Sequence, residues 1–149
     1  MSESARAIAA GHWQPAKMLE RIPALRQRAT ESNGVASEPL GQFPQPSVAI
    51  TFRNQSGVGE LHRDFADLFY ILDGRATLLT GGSITGAETI APGEIRGLSV
   101  EDGIAQELRP GDVAHIPAGL PHQMLLANGE SVAYFVMKIK ESERAPDNP

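Results

Sequence analysis

The chain of 149 residues has no cysteine, which removes disulfides, thiolate metal sites and cysteine nucleophiles together. It has no excess of positive charge. The formal net charge is −5, and a phosphate-backbone partner needs clustered Lys and Arg, so nucleic acid is not expected. No apolar run reaches the ~18 residues a membrane-spanning helix requires, so no membrane partner is expected. The opening residues MSESARAIAAGHWQ carry Arg6 but no long apolar stretch. No signal peptide is read there, and the compartment expected by default is the cytoplasm, although a removed signal would leave the same pattern. There is no obvious internal repeat. What remains is ordinary globular composition, 41% hydrophobic and 21% charged, in a chain the size of one domain with a single core.

Two patterns divide the chain. Residues 1–12 are small and polar and read as loose. Residues 13–29 read as helical: Pro15 suits a first turn, and Met18, Leu19, Ile22 and Leu25 form a 3.6-period stripe that Pro23 breaks or kinks. The segment from Thr30 to Pro46 is a Gly/Pro/Ser-rich connector. From Ser47 the pattern becomes short alternating runs: 47–53, 59–62, 67–72, 75–80, 94–100, 104–109, 112–116, 122–127 and 131–139. Asp73-Gly74, Gly81-Gly82, Asp102-Gly103, Pro110-Gly111 and Asn128-Gly129 supply the turns between them. About nine short strands at this spacing, without helices between them, mean an all-β sandwich or barrel, most naturally a jelly roll. Ser83 to Gly93 reads as a loop. The expected organisation is an N-terminal helical and extended strap over 1–46, a barrel over 47–140 and a flexible tail over 141–149.

The most informative stretch is GDVAHIPAGLPHQ, residues 111–123. A strand-like run ends at Pro117. Gly119 and Pro121 force a tight corner, and His122 follows at the start of another apolar run. A stiff strand and a rigid corner fix one imidazole in place, which is what a metal ligand needs. Gly111, Pro117, Gly119 and His122 match every marked position of the second cupin signature, Gly-x5-Pro-x-Gly-x2-His; the usual Asn four residues after the His is Leu126. Over roughly Ser47 to Ile139, the chain resembles a small single-domain cupin of the conserved-barrel type. The resemblance implies a double-stranded β-helix jelly roll with a short N-terminal helical segment, one metal in the cup, and frequent dimerisation, so a homodimer is expected.

It also implies a first signature upstream. As it stands here that motif is Glu60-x-His62-x4-Asp67-x6-Gly74, with Glu60 at the first His position, Asp67 at the Glu position and Asn54 at the leading Gly. Glu60 and His62 stand two apart on one strand and point to one face. Asp67 opens the partner strand, with Phe69 and Ile71 on its face; His122 has Met124 and Leu126 on its own. These four apolar residues are the expected pocket lining. Glu60, His62, Asp67 and His122 are the expected ligands of one divalent transition metal, and two imidazoles with two carboxylates suit Zn, Fe, Mn, Ni or Co. Two carboxylates ~4 Å apart repel by roughly 4 kcal/mol at an effective dielectric near 20, so a cation between them is favoured. A competing alignment takes Asp64 as second ligand, in His62-x-Asp64-x2-Asp67. A third reading leaves the metal out and makes His62 and His122 polar lining of an organic-ligand pocket.

Other residues read more plainly. His115 is expected at the surface or behind the site, Tyr70 and Tyr134 in core or interface. Arg75 and Arg96 are expected at solvated strand ends, and Arg63 and Asp64 at the rim. The resemblance spans dioxygenases, isomerases, lyases and non-catalytic binders, so fold does not settle reaction. Two functions follow. One is a metal-dependent enzyme acting on a small oxygenated organic molecule by Lewis-acid isomerase or lyase chemistry or by dioxygenase chemistry. The alternative is a non-catalytic small-molecule-binding or regulatory module.

Overall fold

Helix α1 (Pro15–Leu19) and helix α2 (Ile22–Thr30) precede thirteen strands in a computed structural model that describes residues 9–141. Residues 1–8 of the segment expected to be loose, and 142–149 of the expected tail, lie outside the described residues. One sheet has five strands in the order β1 (Val35–Pro39), β2 (Ser47–Arg53), β13 (Val132–Lys140), β4 (Phe65–Gly74), β11 (Val113–Ile116). The other has six: β10 (Ile104–Leu108), β5 (Ala76–Thr80), β12 (His122–Leu125), β3 (Gly59–His62), β8 (Glu94–Gly97), β7 (Glu88–Ala91). A short pair, β6 (Ser83–Thr85) and β9 (Ser99–Glu101), completes the described strands. Every pairing is antiparallel, as an all-β jelly roll requires.

Alternation along the strands makes two cores. On β2, Ile50 and Phe52 face outward and pack with Ile22, Leu25 and Ala29 of α2, Met18 of α1 and Leu72 of β4. Phe69, Ile71, Leu78, Met124 and Tyr134 face the opposite way and fill the space between the sheets. The helices therefore cover the outer face of the five-stranded sheet, and the inner face is left to build a cup. Pro23 sits in the first turn of α2, where its missing N–H costs nothing. The chain breaks just before it, and the break turns Leu19 out of the expected stripe: it is exposed while Met18 is buried.

Three strands lie where connectors were expected. β1 occupies part of the Gly/Pro/Ser-rich segment; it is an edge strand, where Pro39 is tolerated because no ladder partner needs its N–H. β6 and β7 lie in the expected 83–93 loop. They span three and four residues and bury no side chain, so they carry no alternation to read. The 94–100 run splits at Leu98, whose N–H turns to the Thr85 carbonyl. In the Asp102-Gly103 turn, Asp102 and not the glycine takes the positive φ, 60°. Gly74 closes β4 at φ 81°, and a Cβ there would run into the Ser131 carbonyl oxygen.

Candidate metal centre in the cup

The corner that introduces β12 is pinned at three points. The Gly119 N–H donates to the His62 carbonyl (2.7 Å), and the Gly81 N–H to the Pro121 carbonyl (2.8 Å). His122 Nδ1–H then donates to the Leu120 carbonyl (3.0 Å). Gly119 can make its bond because it adopts φ 81°. Register does the rest. His122 faces Glu60 across β12 and β3, Glu60 faces Arg96 across β3 and β8, and His62 faces Glu94 one row on. From the opposite sheet, Asp67 on β4 and Lys138 on β13 are register partners.

The donor atoms of Glu60, His62 and His122 lie within 4.8 Å of one another, close enough to share a metal ion. Asp67 stands at the edge of this cluster, its Oδ2 3.5 Å from His62 Nε2 and 3.7 Å from His122 Nε2. Glu60 Oε2 is 3.9 Å from His122 Nε2, while Glu60 Oε1 forms an ion pair with Arg96, 3.2 Å from its Nε. Both imidazoles are oriented from behind. Glu94 accepts His62 Nδ1–H, as Leu120 does for His122. Each ring's Nε2 lone pair is thereby left for the cup, the arrangement that fixes a metal-binding tautomer.

The donor set fits a divalent cation. Two imidazole lone pairs and two carboxylates, acceptors all, converge on one region. Asp67 Oδ1 is buried and has no hydrogen-bond partner among the described residues, and a buried acceptor without a partner is costly. Burial pushes the Asp67 carboxyl above the usual carboxylate range, against the pull of Lys138 and both imidazoles. Burial also holds the His122 imidazole below its ordinary value, partly offset by the bond to Leu120. Lys138 Nζ approaches His62 Nε2 at 3.4 Å and lies 6.0 Å from the Phe65 ring. Its flexible stem lets the ammonium withdraw or advance.

The cluster opens into a cavity of about 440 Å³ that Phe69 and Met124 line, within the range of small-molecule sites. Two residues expected to line it do not. Ile71 is wholly buried in the inner core, because that core is deeper than the cavity floor, and Leu126 falls just past the end of β12 and packs against the same core. Asp64 is exposed in the turn between β3 and β4, where its carbonyl takes the Glu141 N–H, so the structure does not bring it to the cluster. Its neighbour Arg63 is exposed in the same turn, and His115 and Arg75 lie at the surface as expected. Tyr70 packs on the outer core and Tyr134 in the inner one. Arg96 departs from a merely solvated strand end through its pairing with Glu60.

Sequence reasoning missed Glu94 and Lys138. Lys138 left a signal: Val132, Tyr134, Val136 and Lys138 share one face of β13, so a face otherwise apolar or aromatic ends in an ammonium. Glu94 left none, because only register brings it to His62.

The two opposed shifts set a pH expectation. As pH falls below about 6.5 the unfolded chain protonates His122 before the folded one does, so His122 weakens the metal-free fold toward acid. Above about 3.8 the unfolded chain ionises Asp67 first, so Asp67 burdens the metal-free fold increasingly as pH rises. A bound cation needs neutral His122 and ionised Asp67. The rise in Tm on adding a divalent metal should therefore grow from pH 5 to pH 7.5. Thermal unfolding with and without metal across that range checks it; a flat or shrinking gain contradicts it.

No protein-family model matches the sequence, and no curated protein matches it. Solved structures do match the fold. DMSP lyase DddQ from Ruegeria pomeroyi is 17% identical with a TM-score of 0.52, and 78% of this chain and 54% of that chain are covered. A conserved Klebsiella pneumoniae protein with a double-stranded β-helix domain is 14% identical at a TM-score of 0.53, covering 73% and 79%. The Schizosaccharomyces pombe Cnp3 cupin domain is 10% identical at 0.53, covering 72% and 65%. The chain spans about half the length of the first of these.

Proposed function

From a chain that carries the cupin double-stranded β-helix fold, we propose a metal-dependent enzyme that acts on a small oxygenated organic molecule. The observation that carries this reading is the convergence of Glu60, His62 and His122, with Asp67 Oδ1 buried beside them without a partner among the described residues. Glu60, His62, His122 and Asp67 would hold the ion. A divalent ion held there would supply Lewis acidity toward a substrate carbonyl or hydroxyl oxygen. Glu94 and the Leu120 carbonyl hold the two imidazoles in the binding tautomer. Arg96 restrains one oxygen of Glu60 and leaves the other to the cluster. Lys138 and Arg96 bring positive charge to the cup and favour negative charge developing on a bound molecule. Phe69 and Met124 exclude water from one wall. That one structural neighbour is described as a lyase fits the reading.

Elemental analysis of the purified protein tests it. About one equivalent of transition metal per chain is expected, directly or after reconstitution; none under either condition removes the metal. Glu94→Gln should lower metal affinity by roughly 10–100-fold with the ligands intact, the usual cost of losing a partner behind a ligating imidazole. Competition with a fluorescent chelator reads this, and unchanged affinity would show that Glu94 does not orient His62.

Lys138 favours a second reading. Its ammonium reaches His62 Nε2 and can itself supply the cation the acceptors call for. The cup would then hold an organic ligand without metal, as a binding or regulatory module. A small molecule that binds tightly and returns unchanged from the metal-loaded protein as well as the metal-free one supports that reading; turnover only in the loaded protein supports the first.

A further inference from the structure

Away from the imidazoles the same cavity holds a second polar group, and its chemistry is the opposite of the first. Arg53 of β2 and Tyr134 of β13 both line the cavity. Arg53 Nε–H donates to the Tyr134 hydroxyl oxygen at 3.2 Å. Among the described residues, neither Nη atom of Arg53 has an acceptor, and neither does the Tyr134 hydroxyl proton. No carboxylate lies within salt-bridge distance of Arg53 among the described residues, whereas Arg21 is paired with Glu38 and Arg96 with Glu60. Tyr134 is buried, 5% exposed, so its unspent donor is not simply a surface hydroxyl.

The guanidinium is also backed. Gly57, in the loop after β2, approaches so closely that a Cβ there would come within 3.3 Å of Arg53 Nη1. The loop limits the fork on one side and Tyr134 holds it at Nε. Tyr134 and Lys138 are four residues apart on one face of β13, which places their Cα atoms about 13 Å apart at the strand rise. One end of the cavity thus gathers the imidazoles and carboxylates with Lys138 and Arg96, and the other presents the Arg53 guanidinium and the Tyr134 hydroxyl with no carboxylate paired to them among the described residues.

We propose that Arg53 and Tyr134 form a carboxylate seat, and that the molecule taken by this cup is an organic acid. The proposal rests on the functional reading above for the statement that the cup takes a substrate; the seat itself is independent of metal. With Nε committed to Tyr134, the two Nη–H groups remain for the oxygens of one carboxylate, side by side, and the tyrosine hydroxyl supplies a third donor. A single guanidinium matches one negative charge. A phosphate monoester, with nearly two charges and three equivalent oxygens, calls for a larger cationic set than the seat provides. The acid's anionic end rests on Arg53, and its other oxygen function points toward the cluster.

Isothermal titration calorimetry on the full chain, metal-loaded and chelator-stripped, tests the seat with acetate, succinate and citrate as probes beside succinamide and inorganic phosphate. At least one carboxylate should bind both forms of the protein, and succinamide neither. Arg53→Gln should weaken that binding about tenfold or more, the scale of a charge-assisted hydrogen bond. Arg53→Lys, which keeps the charge and loses the fork, should fall between. Tyr134→Phe should cost a smaller factor, and a Tm for each variant near the parent's separates seat loss from misfolding. Equal affinity in Arg53→Gln, no binding of any carboxylate, or preference for phosphate overturns the proposal. If the protein takes up no metal yet Arg53-dependent binding persists, the metal reading fails and the seat stands. If metal binds and Arg53→Gln changes nothing, the seat fails and the metal reading stands.

Discussion

His122→Ala should abolish stoichiometric transition-metal binding while leaving the sandwich folded. The ring supplies one of the clustered donor atoms, and its Nε2 also faces Glu60 and Asp67. Removing a direct ligand should exceed the ~100-fold loss that follows from removing a residue behind one. The cost to the fold is smaller. The variant gives up the Nδ1 bond to Leu120, about 1 kcal/mol net, and enlarges a cavity that is already open. The corner keeps its other ties, Gly119 to His62 and Gly81 to Pro121, since both are made by backbone. Elemental analysis and circular dichroism on one preparation read the two effects separately. Asp64→Ala is the control: exposed and away from the cluster, it should leave metal content unchanged. Full occupancy in His122→Ala would overturn the ligand assignment, and loss in Asp64→Ala would reinstate the alternative alignment.

That experiment also marks how much of the site the sequence carried. The His122 corner was legible because its information is contiguous: Gly111 and Gly119 do take positive φ, and the chain turns where Pro117 and Pro121 stand. Glu60 and His62 were legible from parity on one strand. The strap helices were readable from spacing, except where the break before Pro23 rotated Leu19 to solvent. What was not legible depends on register between distant strands. Glu94 meets His62 across 32 positions, and Arg53 meets Tyr134 across 81. No local pattern announces either, and edge strands as short as β6 and β7 lack a buried face to betray them.

Gly74→Ala should be strongly destabilising, at about 3 kcal/mol or more. A left-handed backbone costs an L side chain roughly 1–2 kcal/mol by itself. The new Cβ would also strike the Ser131 carbonyl oxygen. That oxygen accepts the Arg75 N–H at 3.0 Å, and Gly74 is the register partner of Val132, which is fully buried. Relief requires β4 to part from β13 where the two begin to pair, and disrupted backbone of that kind lies in the large tail of mutational effects. Gly129 supplies the comparison. It has the same φ of 81°, and a Cβ there would meet nothing within 4 Å, so Gly129→Ala should cost only the backbone component, about 1–2 kcal/mol. Urea unfolding should show the Gly74 variant's midpoint lowered by roughly 1–2 M or more at unchanged slope, and the Gly129 variant's by about half that or less. Equal midpoints would mean that the Ser131 contact relaxes freely.

The bond from Gly119 N–H to the His62 carbonyl bears on how the cup would exchange an ion. It joins the backbones of the two imidazole-bearing segments directly, so their spacing is set before any ion arrives. On the proposed metal reading, loading and unloading would ask for side-chain adjustment and not for rearrangement of these two backbones. The slow events would then be the cation's loss of its water and, on departure, the breaking of its bonds to the cup. A chelated sample should therefore refill as fast as the dehydrated ion is delivered, with no lag for refolding.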